Sequence, residues 1–256
     1  MNQETFQIFL WVMSAVALVV FIALYFVKAG YGMFRTASWG ISINNKLAWV
    51  LMEAPVFIVM FGLWGKSGAG FAVPVYFFFL LFQLHYLQRA FIFPFRLKGK
   101  SRMPVAIMAM GIVFNLLNGM MQAGGLFYFA PEGLYADGWA YLLKPHALLG
   151  IILFFAGMFV NLHSDYVIRH LRRPGDTKHY LPGKGLYRYV TSANYFGELV
   201  EWTGFAILTA SPAAWVFVWW TFANLVPRAD AIHRRYREEF GDEAVGKRKR
   251  IIPFLY

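Results

Sequence analysis

The sequence lacks cysteine altogether, which excludes disulfides, thiolate metal ligands and a cysteine nucleophile. Charge is also scarce, since only 14% of the 256 residues are charged and 13 acidic residues face 24 lysines and arginines. Hydrophobic residues make up 59% of the chain and aromatic residues 20%, and the mean hydropathy is +0.49. Soluble domains carry roughly 25% charged residues. The composition therefore predicts an integral membrane protein.

The signatures of common soluble enzymes are missing as well. No Gly-x-Gly-x-x-Gly run follows a strand, and the sequence contains no P-loop, no His-Glu-x-x-His and no Gly-x-Ser-x-Gly motif. The basic residues lie in loops between apolar segments and match no nucleic-acid reader motif, so we expect neither nucleic acid nor a metal as a partner. Any cofactor site must therefore be built from side chains inside the membrane domain.

Apolar stretches long enough to cross about 30 Å of hydrocarbon predict an all-α bundle of about seven transmembrane helices. They lie near residues 7–27, 47–64, 71–94, 103–129, 146–168, 195–211 and 213–230. Basic loops at 28–46, 89–102 and 169–188 alternate with loops poor in lysine and arginine. The positive-inside rule places these loops and the basic C-terminus in the cytoplasm, and the N-terminus outside or in a lumen. The apolar residues after 247–250 predict that the tail folds back on the bundle.

Polar side chains crowd the stretch 161–202, between segments apolar enough for a bilayer. On a helical wheel they form two faces, each within about 80° of arc. The faces consist of Asn161, Asp165, Arg169 and Arg172, and of Asn194, Glu198 and Glu201. Arginines suit phosphates, and amides and carboxylates suit a carboxamide and ribose hydroxyls, so this pattern indicates a dinucleotide. A network of interhelical salt bridges with solvated arginines is the alternative.

The first half of the chain holds a second set of polar residues. Glu53 lies in an apolar segment, where a carboxylate costs about 2.5–3.5 kcal/mol unless it faces a cavity or is protonated. It is thus a functional candidate, although a hydrogen bond to a neighbouring helix is an alternative. Tyr86 can donate a hydrogen bond into a cavity, and for the adjacent His85 we predict a structural role rather than a metal ligand. Helix four has three amides, Asn115, Asn118 and Gln122, and two interpretations of them stay open: contacts between helices and contacts with a substrate.

Several runs carry a family resemblance, in order and over nearly the whole chain. They are LMEAPVF (51–57), HYLQRAF (85–91), NLHSDYVIRHLRRPG (161–175), the tyrosine- and glycine-containing run 180–190, ANYFGELVEW (193–202), PRADAIHRRY (227–236) and RKRIIPF (248–254). Together they resemble the steroid 5α-reductase family, the 3-oxo-5-alpha-steroid 4-dehydrogenases. Short loops favour a bacterial-type member. Two features depart from the family pattern: the spacing of the basic loop 96–104, and a single histidine, His233, where the family has a richer run.

The resemblance implies one membrane domain over 1–256, with residues 1–129 mainly on the substrate side and 146–256 mainly on the NADPH side. It implies reduction of the Δ4 double bond of a 3-oxo-Δ4-steroid to the 5α product. Glu53 and Tyr86 would be the catalytic residues, polarising the C3 carbonyl while hydride from NADPH reaches C5. The cofactor residues predicted from the polar faces and the resemblance together are Asn161, Asp165, Arg169, Arg172, Tyr180, Asn194, Glu198, Glu201, Arg228, His233, Arg235 and Tyr236.

Other functions fit parts of the pattern. An enoyl-CoA or polyprenol-type lipid reductase of the same superfamily would share the C-terminal half, and a membrane methyltransferase or a non-catalytic sterol-binding protein is also conceivable. Glu53 and Tyr86 favour a ketone-bearing substrate. We expect a multi-pass monomer that contacts a steroid or lipid-like enone and membrane lipid. Its membrane would be a bacterial inner membrane, or the endoplasmic reticulum in a eukaryote, and its active site would open to the cytoplasm.

Overall fold

The structure is a computed structural model that describes residues 1–28, 30, 32–34, 36–172, 176 and 178–256. It is almost entirely helical, which confirms the predicted fold class. In chain order the elements are α1 (Gln3–Phe26), β1 (Ser42–Asn44), α2 (Asn45–Lys66), α3 (Val75–Tyr86), a π-helical turn (Leu87–Ile92), α4 (Phe93–Arg96), β2 (Arg102–Pro104), α5 (Val105–Ala123), a second π-helical turn (Gly124–Tyr128), α6 (Trp139–Leu142), α7 (Pro145–Arg169), a 3₁₀ turn (Gly185–Arg188), α8 (Ala193–Thr209), α9 (Pro212–Phe240) and α10 (Asp242–Val245).

Five helical stretches of the described chain are long and apolar enough to cross a membrane. They are Gln3–Phe26, Asn45–Lys66, Val75–Arg96, Val105–Tyr128 and Pro145–Arg169. The protein is therefore a multi-pass helical membrane protein. Helix α8 has 17 residues, which at about 1.5 Å per residue reach roughly 25 Å, and the second half of α9 is charged. The count of seven crossings and the orientation of the termini stay predictions.

Helix α9 continues past the apolar segment predicted at 213–230. Its last turns are polar, and Arg235 pairs with Glu238 and Glu239, three and four residues further on. Pairs at this spacing support a helix without a buried face. Gly241, with a φ of 85°, ends the helix. The hydropathy pattern thus located the apolar half of α9, and the side-chain pairing explains the rest.

Glycines let α7 and α8 approach each other closely. A Cβ atom on Gly157 of α7 would lie 2.2 Å from the backbone nitrogen of Glu201, and one on Gly197 of α8 would lie 2.5 Å from that of Asn161. Gly150 and Gly204 make the same kind of contact, so the glycines repeat every seven residues on both helices. Small residues at such an interface allow backbone contact in a membrane. This contact brings together the polar faces of the two helices.

The core is aromatic and lies where α3, α7 and α8 meet. Trp202 is 1% exposed, and its ring packs against those of Phe82, Phe154 and Phe205 at centroid distances of 5.7, 6.5 and 5.8 Å. Tilted and edge-on aromatic pairs of this kind add to the energy of burial. The polar residues of the helices therefore lie beside a rigid aromatic wall.

The C-terminal tail returns to the bundle, as predicted. The Lys249 nitrogen donates to the Tyr189 carbonyl at 2.8 Å, and the Thr191 nitrogen donates to the Lys249 carbonyl at 2.9 Å. Ile251 is fully buried and packs against Leu225 and Val226 of α9. The tail therefore forms a parallel bridge beside the segment that leads into α8. The segments before α2 and α5 also meet, because β1 and β2 pair in a two-stranded antiparallel ribbon.

Candidate active site

Glu53 lies on α2 at a half-buried position facing α5. The Asn115 amide nitrogen donates to Glu53 Oε2 at 3.2 Å and to the Met52 carbonyl at 2.7 Å. The hydrogen bond to a neighbouring helix, weighed above as the plain alternative, is therefore present. It occupies one carboxyl oxygen of Glu53, and the other oxygen still has bonding capacity.

Tyr86 ends α3 and is buried against the aromatic wall. Its hydroxyl accepts a hydrogen bond from the Asn118 amide nitrogen at 3.1 Å, and its ring lies 4.8 Å from that of Phe82 and 5.9 Å from that of Trp202. Since Asn115 and Asn118 are three residues apart on α5, they share one helix face. The structure thus brings Glu53 and Tyr86 to neighbouring positions along α5.

His85 and Glu201 form a buried pair between α3 and α8. His85 Nδ1 lies 2.7 Å from Glu201 Oε1, and both side chains are almost fully buried. The predicted structural role of His85 is consistent with this carboxylate partner. Glu201 Oε2 and the adjacent Trp202 Nε1 have no hydrogen-bond partner among the described residues. Glu201, predicted at the cofactor, therefore uses one oxygen for His85 and has one left for another group.

Arg89 connects the two halves of the chain. It lies in the π-helical turn after α3, and its guanidinium contacts Asp165 of α7 at 3.2 Å and Glu198 of α8 at 3.7 Å. The rings of Trp49 and Phe93 lie 5.1 and 4.6 Å from its Cζ. Aromatic faces stabilise a desolvated guanidinium, and π-helical turns often occur at functional sites. Arg89 thus holds two carboxylates that were predicted to bind the cofactor.

Amides and carboxylates complete the contact between α7 and α8. Asn161 donates to the Asn194 carbonyl at 3.0 Å, and the Asn194 side chain donates to Asp165 Oδ1 at 3.4 Å. Tyr187, from the 3₁₀ turn, donates to Asn194 Oδ1 at 3.3 Å. The predicted polar faces therefore do meet, and part of their bonding capacity is used between the helices.

The loop after α7 carries the next predicted residues. Arg169 is half-buried at the end of α7, and Arg172 is exposed in the following turn. The Tyr180 hydroxyl donates to Asp176 Oδ2 at 2.7 Å. This hydrogen bond holds the pKa of Asp176 below its ordinary value, and the positive charge of Arg172 contributes in the same direction. Arg172 and Tyr180 therefore belong to one local cluster at the solvent-exposed end of α7.

Two arginines of α9 lie at the same end of the bundle. Arg228 is half-buried, with its Cζ 5.4 Å from the ring centroid of Tyr195 and a contact of 3.5 Å to Asn224. Arg235 pairs with Glu239 at 3.4 Å. The structure therefore places Arg228 near the start of α8, and each of the two arginines has a partner from the protein.

His233 and Tyr236 occupy the inner side of the same helix. His233 shares a hydrogen bond with Thr191 at 3.3 Å. Burial and the positive charge of Arg250 lower the pKa of His233, so its imidazole is neutral near pH 7. Burial raises the pKa of Tyr236 to about 12, which keeps its hydroxyl a hydrogen-bond donor. Both side chains thus offer neutral polar groups beside the basic end of the bundle, which we define by Arg172, Arg228 and Arg235 and call the mouth.

Three residues that the structure makes central have weaker signals in the sequence. Arg89 was predicted only as part of the basic loop 89–102, yet an arginine at the end of an apolar segment is itself a functional signal. Asn118 and His85 contact predicted site residues that are distant in sequence, Tyr86 and Glu201. Spacing within one helix does not reveal such a contact, because the partner helix must first be placed.

Comparison with known proteins identifies the family of this chain. The family model described as 3-oxo-5-alpha-steroid 4-dehydrogenase matches residues 101–256. The chain is 36% identical over 247 residues to 3-oxo-5-alpha-steroid 4-dehydrogenase 1 of Bos taurus, covering 94% of this chain and 93% of that protein. It is 36% identical over 260 residues to steroid 5-alpha-reductase DET2 of Gossypium hirsutum, covering 100% and 99% respectively. The chain therefore belongs to the 3-oxo-5-alpha-steroid 4-dehydrogenase family of oxidoreductases, as its motifs indicated.

Proposed function

We propose that this protein uses NADPH to reduce the Δ4 double bond of a 3-oxo-Δ4-steroid to the 5α-3-oxosteroid. The observation that carries the proposal is the placement of Glu53 and Tyr86 beside two amides three residues apart on α5. Two proton-bearing groups so placed suit a single carbonyl oxygen. The identity to relatives named for this reaction over nearly the full chain supports the same substrate class.

The two groups act on the C3 oxygen of the steroid. Negative charge grows on this oxygen as the double bond accepts a hydride at C5, and hydrogen-bond donors aimed at it stabilise the transition state. Tyr86 donates through its hydroxyl, and Glu53 donates when its carboxyl is protonated. A proton then reaches C4 to complete the saturated product. The aromatic wall beside Tyr86 excludes water from the reacting atoms, which strengthens these hydrogen bonds.

The residues of the second half fit a dinucleotide. Arg172, Arg228 and Arg235 concentrate positive charge at the mouth, where phosphates are best bound. Deeper in the bundle, Glu201 Oε2 and Trp202 Nε1 are buried polar atoms without a partner in the described chain, and a polar ligand group would satisfy them. Bound NADPH supplies the hydride. Asn161, Asp165, Asn194 and Glu198 would orient the ligand from the faces of α7 and α8, and His233, Tyr180 and Tyr236 from the mouth.

This assignment divides the chain into a substrate side over 1–129 and a cofactor side over 146–256. Arg169 and the other basic residues near the mouth support a cofactor entrance on the side that the positive-inside rule assigns to the cytoplasm. Cytoplasmic NADPH would then reach the site directly, while the steroid enters from the lipid. A bacterial-type origin and a monomeric state belong to the same proposal.

The test is NADPH oxidation by the purified protein in detergent, with testosterone or progesterone as substrate. We expect one NADPH consumed per molecule of 5α product, with the configuration at C5 read by chromatography against both standards. Tyr135→Phe is a matched control, because it removes a hydrogen bond to the Thr209 carbonyl at 2.7 Å outside the site and is expected to leave turnover unchanged. A protein that binds NADPH yet consumes none with any enone contradicts the proposal.

A further inference from the structure

We propose that Asn118 and Gln122 of α5 are positioning residues that fix the direction in which the Tyr86 hydroxyl donates its proton. The inference rests on the proposed function, since it concerns the group that meets the C3 oxygen. Both amides are almost fully buried, so water cannot substitute freely for the partners that they have. Their hydrogen bonds form a chain with one defined direction.

The chain begins at a backbone carbonyl. The Gln122 amide nitrogen donates to the Ala213 carbonyl at 3.0 Å. A backbone carbonyl only accepts hydrogen bonds, so the nitrogen of the Gln122 amide must be the atom on this side. The same nitrogen has a second hydrogen, which it donates to Asn118 Oδ1 at 3.4 Å. The orientation of the first amide is therefore set by the backbone at the start of α9.

The orientation of Asn118 follows from that of Gln122. With its oxygen engaged by Gln122, Asn118 must turn its nitrogen toward Tyr86, where it donates to the hydroxyl oxygen at 3.1 Å. A phenol has one proton to donate. In the part of the chain that the structure describes, the Tyr86 hydroxyl accepts this bond and has no protein acceptor for its own proton. That proton is thus reserved for a ligand oxygen.

Glu53 is held by the same device one helical turn away. The Asn115 amide nitrogen donates to the Met52 carbonyl at 2.7 Å, and this bond sets the orientation of the Asn115 amide. The same nitrogen donates to Glu53 Oε2 at 3.2 Å. One carboxyl oxygen is therefore an acceptor, and a proton on Glu53 is directed to the other oxygen. Two amides anchored to backbone carbonyls thus leave the protons of both catalytic groups available on the ligand side.

A purely structural role for these amides is the alternative, because buried amides commonly link membrane helices. The two roles differ in what they predict for Asn118→Asp. Aspartate keeps the size and shape of asparagine and still accepts from Gln122, but a carboxylate cannot donate to Tyr86. It accepts the phenolic proton instead, and this withdraws the proton from the ligand.

The experiment compares two ligands that differ only at C3, a saturated 3-oxo-5α-steroid and its 3-deoxy counterpart. Equilibrium binding to the purified, NADP⁺-loaded protein is measured for the wild type, Asn118→Asp and Gln122→Met. We expect the wild type to prefer the 3-oxo ligand by about tenfold, as one neutral hydrogen bond allows. Asn118→Asp should reduce this preference to the part that Glu53 provides, and Gln122→Met should reduce it by less, because the amide of Asn118 can then reverse. Affinity for NADPH should stay unchanged in both variants.

The outcomes separate the roles of Glu53 and Tyr86 from the role of the amides. A wild type without a preference removes the proposed roles of Glu53 and Tyr86, and this inference with them. A preference that is as large in both variants as in the wild type overturns only the directional role of the amides. If Asn118→Asp no longer binds NADPH, Gln122→Met alone decides, with Tyr135→Phe as the control for loss of a side-chain bond to the backbone. A second readout is turnover, which we expect to fall about 100-fold in Asn118→Asp with an unchanged KM for NADPH.

Discussion

The two sides of the bundle hold their polar groups by different means. Around α5, neutral amides donate to backbone carbonyls and to the proposed catalytic groups. Around α7 and α8, charges dominate, and Arg89 alone contacts both Asp165 and Glu198. The first arrangement fixes the direction of protons in the membrane without placing full charges there, and the second suits a ligand that is itself charged. The difference is what the proposed neutral substrate and the proposed anionic cofactor would require.

The two sides also differ in what packs against the glycines of their helices. A Cβ atom on Gly111 of α5 would lie 2.3 Å from the flexible side chain of Met52, and one on Gly119 would lie 2.9 Å from the Val59 side chain and 3.3 Å from the Val56 carbonyl oxygen. On α7, by contrast, Gly157 faces the backbone of α8. Side chains can repack and backbones cannot. The substrate side can therefore adjust to the shape of a ligand, while the α7–α8 contact must be kept as it is.

The largest expected effect is a fall in kcat caused by a substitution on the proposed substrate side. Glu53→Gln should lower kcat by about 100-fold or more, because an amide is a weaker donor to the developing charge than a carboxylic acid. The affinity for NADPH should not change, since the side-chain hydrogen bond of Glu53 in the described structure goes to Asn115 of α5. Stopped-flow reduction and NADPH titration of the same preparation give the two quantities. Unchanged turnover would remove Glu53 from the mechanism.

The next effect tests the backbone contact of the cofactor side. Gly157→Ala would place a Cβ atom 2.2 Å from the Glu201 nitrogen, and we expect the free energy of unfolding to fall by about 2–3 kcal/mol. Gly65→Ala is the matched control, because it lies on α2 with no heavy atom within 4 Å of the added carbon and alanine favours a helix. Thermal unfolding in detergent measures both. Equal stability of the two variants would contradict the close approach of α7 and α8.

The sequence predicted the elements whose signal is local. Hydropathy located the apolar part of each long helix, and helical spacing correctly grouped Asn161 with Asp165 and Asn194 with Glu198. The apolar residues beyond 247–250 predicted the returning tail. Each of these inferences uses neighbours within a few turns of one segment, where periodicity reports the buried face directly.

The remaining features depend on which helices are neighbours, and spacing carries no information about that. The pairing of His85 with Glu201 joins residues 116 positions apart, and the bond from Asn118 to Tyr86 crosses from α5 to α3. The glycines at 157 and 197 gave no signal beyond their residue type, because their role is visible only when the facing backbone is present. The polar residues of the candidate site could therefore be named from the sequence, and the contacts between them could not.

A smaller effect is expected at the mouth, where the cofactor phosphates are proposed to bind. Arg172→Met should raise the Kd for NADPH about tenfold, as the loss of one charge-assisted hydrogen bond at an exposed position predicts. The kcat at saturating NADPH should hold. Arg188 is also exposed and lies in the loop before α8, so Arg188→Met is the control for loss of a basic charge. An equal rise in both variants would indicate a general electrostatic effect and not a phosphate contact at Arg172.

The smallest effect concerns the tail that supports the segment before α8. Arg250 contacts Asp230 at 2.6 Å, and Asp230, which is buried, also contacts Arg234 at 2.7 Å. Arg250→Met should lower the free energy of unfolding by about 1 kcal/mol, since the buried carboxylate keeps one partner and Arg250 is partly solvated. Arg237→Met removes a pair with Asp242 in which both side chains are exposed, and it should change stability less. If the two variants unfold alike, the tail contributes no more than an ordinary surface pair, and the support of the cofactor side must come from the backbone bridge to Tyr189 and Thr191 alone.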